Sequence, residues 1–386
     1  MTKNLKPFFA AAALLSAALG CWIADHVFVG LTNYMSRAGL IRGMALLAAN
    51  ALTLADWAKR LDPDGRVPVI AELLSQTNEI LEDCMFVEGN LPTGHRLTVR
   101  TGLPNVFYRL INQGVPTSKS TTTQIDEACG ILEARSHVDV ELAKLNGNTA
   151  EFRLSEDRAF LEAMNQTMAN AMFYGNPASD PRNFMGLQTR FSSLGAGNGA
   201  NIIDAGGTAS NNTSIYLVVW GDQTVFCPFP KGSQAGLTHQ DLGEESVIDG
   251  SGATIPQYFQ ALRTLYQWKS GLAVKDWRYI VRIANINVTH LTGQSDSQLS
   301  TAATAIVNMM SRAIDRVPNL AMGKAAFYAN RTVYSMLRVA ALNRSAGALS
   351  ISDAMTQFGT PYKQTNFLGV PLRKVDQLLN TETRVV

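Results

Sequence analysis

The side chains able to bind metal or carry catalysis are thinly spread. His26, His95, His137, His239 and His290 stand apart, and none has a Cys, Asp or second His at ligand spacing once Asp25 beside His26 is set aside as part of the N-terminal leader. A serine triad converges from distant positions, but no G-x-S-x-G elbow argues for one. The glycines of GAGNGANIID, residues 195–204, imitate a dinucleotide fingerprint in spacing alone. That fingerprint needs a helix to follow, so that its N–H groups meet a pyrophosphate, and AGGTASNN does not start one. A mobile surface loop is the expectation there. Glu244 and Glu245 in HQDLGEESVIDG read as a solvated acidic turn rather than a cation site. Asn212 in the NNTS run fits a glycosylation acceptor, a match short enough to arise by chance. Cys84, Cys129 and Cys227 lack C-x-x-C spacing and read as reduced, small core residues. The inventory contains no catalytic residue, cofactor site or metal site, and an enzyme is the least supported class.

The elements around these residues say more. A chain of 386 residues exceeds what one hydrophobic core normally covers, so two or three lobes are expected. Apolar residues make up 46% and charged ones 17%, lean in charge for a chain that must stay apart from its neighbours, which points to surface hidden in an assembly. The formal charge of +2, with both signs interspersed, writes no electrostatic footprint for nucleic acid or anionic lipid.

The leader, MTKNLKPFFAAAALLSAALGCWIADHVF, has a basic head and an apolar run from Phe8 to Ile23, shorter than a spanning helix needs. It suits a secretory h-region, with Ala18 and Gly20 before Cys21. Two readings compete: export, or a true start at Met44 with the leader an over-extended reading frame. The second is preferred, because the body from Met44 opens as a soluble chain in its own right.

Residues 48–61 and 68–83 show helical spacing around the turn DPDGRVP and read as an arm. From Glu88 to about Glu127, HRLTVR and NVFYRLIN alternate as the two strands of a long hairpin, and QGVPTSKSTTTQ after them reads as a loop or surface return. Such a hairpin is poorly stabilised alone and its edges are open to another chain. A long helix follows from a Ser155 cap, with Phe160, Met164, Met168 and Ala171 on one face and Gly175 and Pro177 as its stop. Residues 183–345 form an α/β lobe. Within it, SIYLVVW and QTVFCPF flank Gly221 and Asp222 as a two-residue hairpin, and WRYIVRIANINV is a strand. SQLSTAATAIVNMMSRAIDRVP is a helix burying Leu299, Ala303, Ile306, Met310, Ala313 and Val317, and KAAFYAN–RTVYSMLRVAALN is strand, Asn330 cap, helix. The chain closes on LGVPLRKVDQLLNTETRVV, whose strand-like start and bare terminal valines call for something that ties the end down.

Several stretches, taken in order, resemble one family: ALTLADWAKRLDPDG, ELLSQTNEILEDCMFVEGNLPTGHRLTVRTGLPNVFYRLINQGVPTSKSTT, NGNTAEFRLSEDRAFLEAMNQTMANAMFYGNP, FPKGSQAGLTHQDLGE, DWRYIVRIANI and GVPLRKVDQLLNTE. They are similar to major capsid proteins of tailed bacteriophages, in particular short-tailed ones, with the Hong Kong 97-type capsid fold. The resemblance begins near Ala51 and gives residues 1–43 no counterpart, in keeping with the Met44 start. It implies an α+β chain with an N-arm (44–87), an E-loop hairpin reaching over an adjacent subunit (88–127), a P-domain with its spine helix at Ser155 to Tyr174 (128–182), an α/β A-domain (183–345) and a C-terminal segment (346–386). In that segment GVPLRKVD pairs inside the subunit, so that the valines end near an interface.

The implied partners are other copies of the chain in hexamers and pentamers, scaffolding, portal and decoration proteins, and packaged double-stranded DNA held by weak non-specific contact. No membrane is implied for the mature form, which belongs in the virion capsid after assembly in the host cytoplasm. Arg96, Arg100 and Arg109 are candidates for inter-subunit contact with acidic neighbours. Some relatives crosslink through an E-loop Lys; Glu88 to Ser118 has none and Lys119 follows the second expected strand, so no covalent crosslink is expected. Two alternatives stay open at this point: an encapsulin-like nanocompartment shell on the same fold, and an exported surface-binding protein if the leader is a real signal.

Overall fold

A computed structural model of the chain describes residues 75–145, 149–248, 257–291, 296–342, 349–355 and 361–386. The leader, the Met44 start and the helix expected at 48–61 lie outside them. Within them the chain runs α1 (Ile80–Asp83), β1 (Phe86–Glu88), β2 (Gly94–Gly102), β3 (Thr121–Asp139), α2 (Val140–Lys144), α3 (Thr149–Tyr174), α4 (Leu187–Arg190), β4 (Ile202–Asp204), β5 (Asn212–Trp220), β6 (Val225–Phe229), β7 (Leu237–Ile248) and β8 (Tyr258–Gly271). It continues through β9 (Ala273–Val274), β10 (Ile280–Asn287), α5 (Asp296–Arg316), β11 (Lys324–Ala329), α6 (Arg331–Leu342), β12 (Leu349–Met355), β13 (Pro361–Phe367) and β14 (Val370–Lys374). This is the α+β composition the sequence implies.

The chain divides into two compact units. One takes Ser136–Glu156 and Asp241–Thr264, the other Ala71–Arg135, Asp157–Gln240 and Leu265–Val386. In the smaller unit a compact apolar group joins Val138, Leu142, Ala143 and Phe152, and Arg153 holds Asp241 at 2.9 Å and the Thr264 hydroxyl at 2.9 Å.

The larger unit is built on a sheet of order β1-β6-β5-β11-β14-β13-β12, to which β10 adds beside β5, β4 beside β10 and β9 beside β6. Every residue of β5 is buried. Side chains alternate across a strand, so Ile215, Leu217 and Val219 meet one core while Tyr216, Val218 and Trp220 meet another. The first core is closed by α5 and α6: Ala303, Ile306, Met310, Ala313 and Val317 are buried as the spacing predicts, and Asn330 caps α6 by accepting from the Thr332 N–H at 3.0 Å. The second is closed by Met168, Met172 and Phe173 of α3 and by Val375, Leu378 and Val385 of the tail.

The tail is tied as its sequence demands. Leu372 pairs in parallel with Phe327, and Asn285 clamps Val385 from both sides, donating to its carbonyl at 3.0 Å and accepting from its N–H at 2.8 Å.

Several expected elements differ. Helix α3 begins at Thr149, so Ser155 is not its cap; its hydroxyl donates to the Phe152 carbonyl at 2.8 Å inside the helix. Strands β5 and β6 do not form a hairpin. Thr224 donates to the Val219 carbonyl at 2.7 Å and turns the chain; β6 meets β5 only at a parallel bridge, Trp220 to Val225, and otherwise pairs with β1 and β9, while β10 and β11 pair along β5. Ile202 and Ile203, expected in a loop, are buried in β4 beside β10. Glu244 and Glu245 lie in β7 rather than a turn, and Glu245 pairs with Arg263. Asn212 is fully buried at the start of β5, closed to glycosylation in the folded chain. Of the helix expected over 68–83, the described residues keep only Ile80–Asp83. Strand β10 starts at Ile280, after a 3-10 turn over Trp277–Tyr279.

Candidate assembly surface

Strand β2, part of the larger unit, is rooted in a small apolar group in which Leu97 is 2% exposed against Phe226, Ala273 and Val87. It pairs antiparallel with β3, from Gly94 opposite Ala128 to Gly102 opposite Thr121. The strand HRLTVR therefore forms as expected. Its partner does not: NVFYRLIN is no strand, and the polar TTTQ expected in a return loop begins β3 instead. The physical reason is pairing. Thr121 to Ala128 satisfy β2, and residues 103–120 are left between the strands with no strand partner among the described residues.

Every residue from Leu103 to Asp126 is exposed. Among them are Leu103, Val106, Phe107, Tyr108, Leu110, Ile111 and Val115, with Val106 and Ile111 each 90% exposed. Single exposed apolar residues need no explanation, but a contiguous run of this kind marks an interaction surface. Internal ties are few: Ser118 donates to the Asn105 carbonyl at 2.7 Å, and Arg109 to the Gln113 carbonyl at 2.8 Å.

The three arginines singled out from sequence fall in different settings. Arg96 is engaged by a fork of two bonds to Asp126, at 2.6 and 2.7 Å, which raises its own basicity through hydrogen bonding and charge. Arg100 lies exposed on β2 and makes no ion pair among the described residues, and Arg109 lies on the excursion. Lys119, expected beyond the hairpin, sits inside the excursion because the return strand starts at Thr121. The excursion therefore carries a lysine after all, although Glu88 to Ser118 has none.

Sequence reading missed the buried ion pairs that hold the scaffold. Arg282 and Glu382 are each 1% exposed and meet at 2.9 Å. Arg282 also donates to the Phe191 carbonyl at 2.7 Å and to the Ser214 hydroxyl at 3.1 Å, while Glu382 accepts from the Tyr174 hydroxyl at 2.6 Å. Burial, and then the Glu382 carboxylate, push the Tyr174 phenol far above its ordinary value. Arg373 forks onto Asp83 at 2.9 and 3.0 Å, with Lys324 on the same carboxylate at 2.6 Å, fixing α1 to β14. Arg190 holds Glu127 with two 2.7 Å bonds and donates to the Leu272 carbonyl, bracing the base of the hairpin. The signal was present for one of these: an arginine inside the apolar run YIVRIANI must carry a buried partner.

A groove of about 710 Å³ lies between Ile131–Glu133, Thr167–Met168 and Arg182–Phe184 of the larger unit. Its acidic groups are spoken for, Asp180 by Arg182 and Glu133 by Gln267. Among the described residues no group of three or more His, Cys, Asp or Glu is placed to hold a metal, and no helix is long and apolar enough to cross a membrane.

The family described as "Major capsid protein GP7" matches residues 62–386. A chain in the cryo-EM structure of bacteriophage Epsilon15 is 31% identical with a TM-score of 0.63, over 88% of this chain and 99% of that one. The capsid of bacteriophage JBD30 is 10% identical (TM-score 0.43, 82% and 99% coverage), and an encapsulin from Synechococcus elongatus 11% identical (TM-score 0.38, 61% and 96%). No curated protein matches the chain. The fold is the Hong Kong 97-type, and the chain belongs to the major capsid protein GP7 family.

Proposed function

We propose that copies of this chain assemble, as hexamers and pentamers, into the icosahedral shell of a phage virion around packaged double-stranded DNA. Residues 88–127 serve as the E-loop over an adjacent subunit, 128–182 as the P-domain, 183–345 as the A-domain near capsomer centres, and 44–87 as an arm. Scaffolding, portal and decoration proteins assist, and assembly takes place in the host cytoplasm. With a formal charge of +2, the contact with DNA is weak and non-specific.

One observation carries this reading: the apolar run over 103–120, which is exposed among the described residues. Burying such side chains against a neighbour contributes about 25 cal/mol per Å². A subunit touching several neighbours exceeds the roughly 1,600 Å² of a standard interface. The role is structural, in keeping with the capsid protein family to which the chain belongs.

Electron microscopy of protein expressed from Met44, with and without a scaffold partner, tests the proposal. Closed shells are expected from the natural sequence, and none from a variant with Val106, Phe107, Tyr108, Leu110 and Ile111 all changed to Ser, while the thermal midpoint of the free subunit stays where it was. Wild-type shell yield from that variant refutes the role given to the excursion. The particle contents separate phage from nanocompartment: nucleic acid supports the first, protein cargo alone overturns it.

A further inference from the structure

The root that seats β2 contains a titratable ring in an apolar setting. His95 lies two residues before Leu97, on the same face of β2, and its ring makes a T-shaped contact with Phe226 of β6, centroids 5.2 Å apart. Its Nδ1 is buried and has no hydrogen-bond partner among the described residues. The Lys275 ammonium, just beyond β9, sits 5.4 Å from the centroid of the same Phe226 ring. All of these groups belong to the larger unit. We infer that His95 is an acid-sensitive joint, at which protonation of the imidazole loosens the seating of β2 on β6.

The surroundings favour the neutral ring. An imidazolium donates from both nitrogens, and the buried Nδ1 finds no acceptor. It also places a second cation beside Lys275. Burial, and then the Lys275 charge, hold the His95 pKa below its ordinary value, with Asp222 opposing them. Asp222 is a weak counterweight, half exposed to solvent and already paired with Lys275 at 3.6 Å. The other neighbouring acids are engaged. Glu127 stands opposite His95 on β3, but Arg190 holds its carboxylate with two 2.7 Å bonds. Glu88 of β1 accepts from the Gly232 N–H at 2.9 Å. On β6, Cys227 follows Phe226 and packs into the other core.

A histidine whose pKa is depressed by packing takes up a proton more readily once the joint opens. The joint is therefore tightest above about pH 7, loosens as pH falls through about 6.5, the value of a solvated histidine, and changes no further below the packed value. Solvated carboxylates titrate near pH 4, below this window. The inference concerns the fold of one copy and stands whether or not copies assemble.

Hydrogen exchange of the full-length chain at pH 7.5, 6.5 and 5.5, corrected for the chemical exchange rate, tests it. From pH 7.5 to 5.5 the opening of amides around His95 in β2 and Phe226 in β6 rises about threefold or more, while β10 amides keep theirs. His95→Gln carries no charge across this range and flattens the rise, whatever it does to the level at pH 7.5. Lys275→Met removes the neighbouring cation, releases Asp222 and shrinks the rise. Root amides that open equally at pH 7.5 and 5.5, or a rise shared in full by β10, overturn the inference. So does a rise that persists in His95→Gln or is undiminished by Lys275→Met.

Discussion

Replacing Glu382 by Ala is the sharpest test of how the tail holds the fold. Arg282 is 1% exposed; once Glu382 is gone it keeps its bonds to the Phe191 carbonyl and the Ser214 hydroxyl and its place over the Tyr216 ring, but no carboxylate balances its charge in the core. Tyr174 loses its acceptor as well. Breaking a buried pair from one side costs about 3–5 kcal/mol, most of it the orphaned charge. At about 2–4 °C per kcal/mol for a unit of this order, the thermal midpoint falls by roughly 6–20 °C. Arg282→Met combined with Glu382→Leu removes both charges and keeps the volume, so it recovers most of the loss. Circular dichroism melts of the subunit give the midpoints, and hydrogen exchange of β5 and β10 amides locates the opening. A single variant within 2 °C of wild type, or a double variant as unstable as the single one, refutes the orphaned-charge argument.

Three further outcomes follow from the same structure. Burial raises the Asp376 carboxyl, but bonds from the Arg331 guanidinium and the Thr77 N–H outweigh it and hold the group below its ordinary value. A carboxyl depressed by folding contributes stability above its unfolded pKa that is lost as pH falls through the folded one. The midpoint gap between wild type and Asp376→Asn is therefore full at pH 7 and closes below about pH 4, which melts across that range check. Burial pushes the Cys129 thiol up to about 11 and the Cys227 thiol well above its ordinary value. Iodoacetamide at pH 8 accordingly leaves both unlabelled in the native chain and modifies both in urea, as peptide mass spectrometry reads out. A Cβ on Gly94 would collide with the Glu127 carbonyl at the hairpin base. Gly94→Ala thus costs more than about 1 kcal/mol and speeds exchange of β2 amides, whereas the open Gly114 accepts Ala with no change in either.

Local periodicity was sufficient wherever an element owes its shape to its own residues. Helix α5 shows this in its buried stripe, α6 in its Asn330 cap and the tail in the strand that precedes Val385. It failed where the outcome depended on which partner won. QTVFCPF has the composition of a hairpin strand, but β10 and β11 pair along β5, and β6 keeps one parallel bridge to it and pairs otherwise with β1 and β9. Ser155 has the chemistry of a cap, but favourable helix residues before it carried α3 back to Thr149.

The sequence by itself determined the α+β class, the absence of a local catalytic signature and the family, because these rest on residue types and their order. Only the tertiary structure decided that Thr121 rather than Asn105 begins the return strand, and that Arg282 meets Glu382 across 100 residues of chain. Pairing between distant segments depends on competing edges and on burial of charge, and neither is written in the spacing of neighbours.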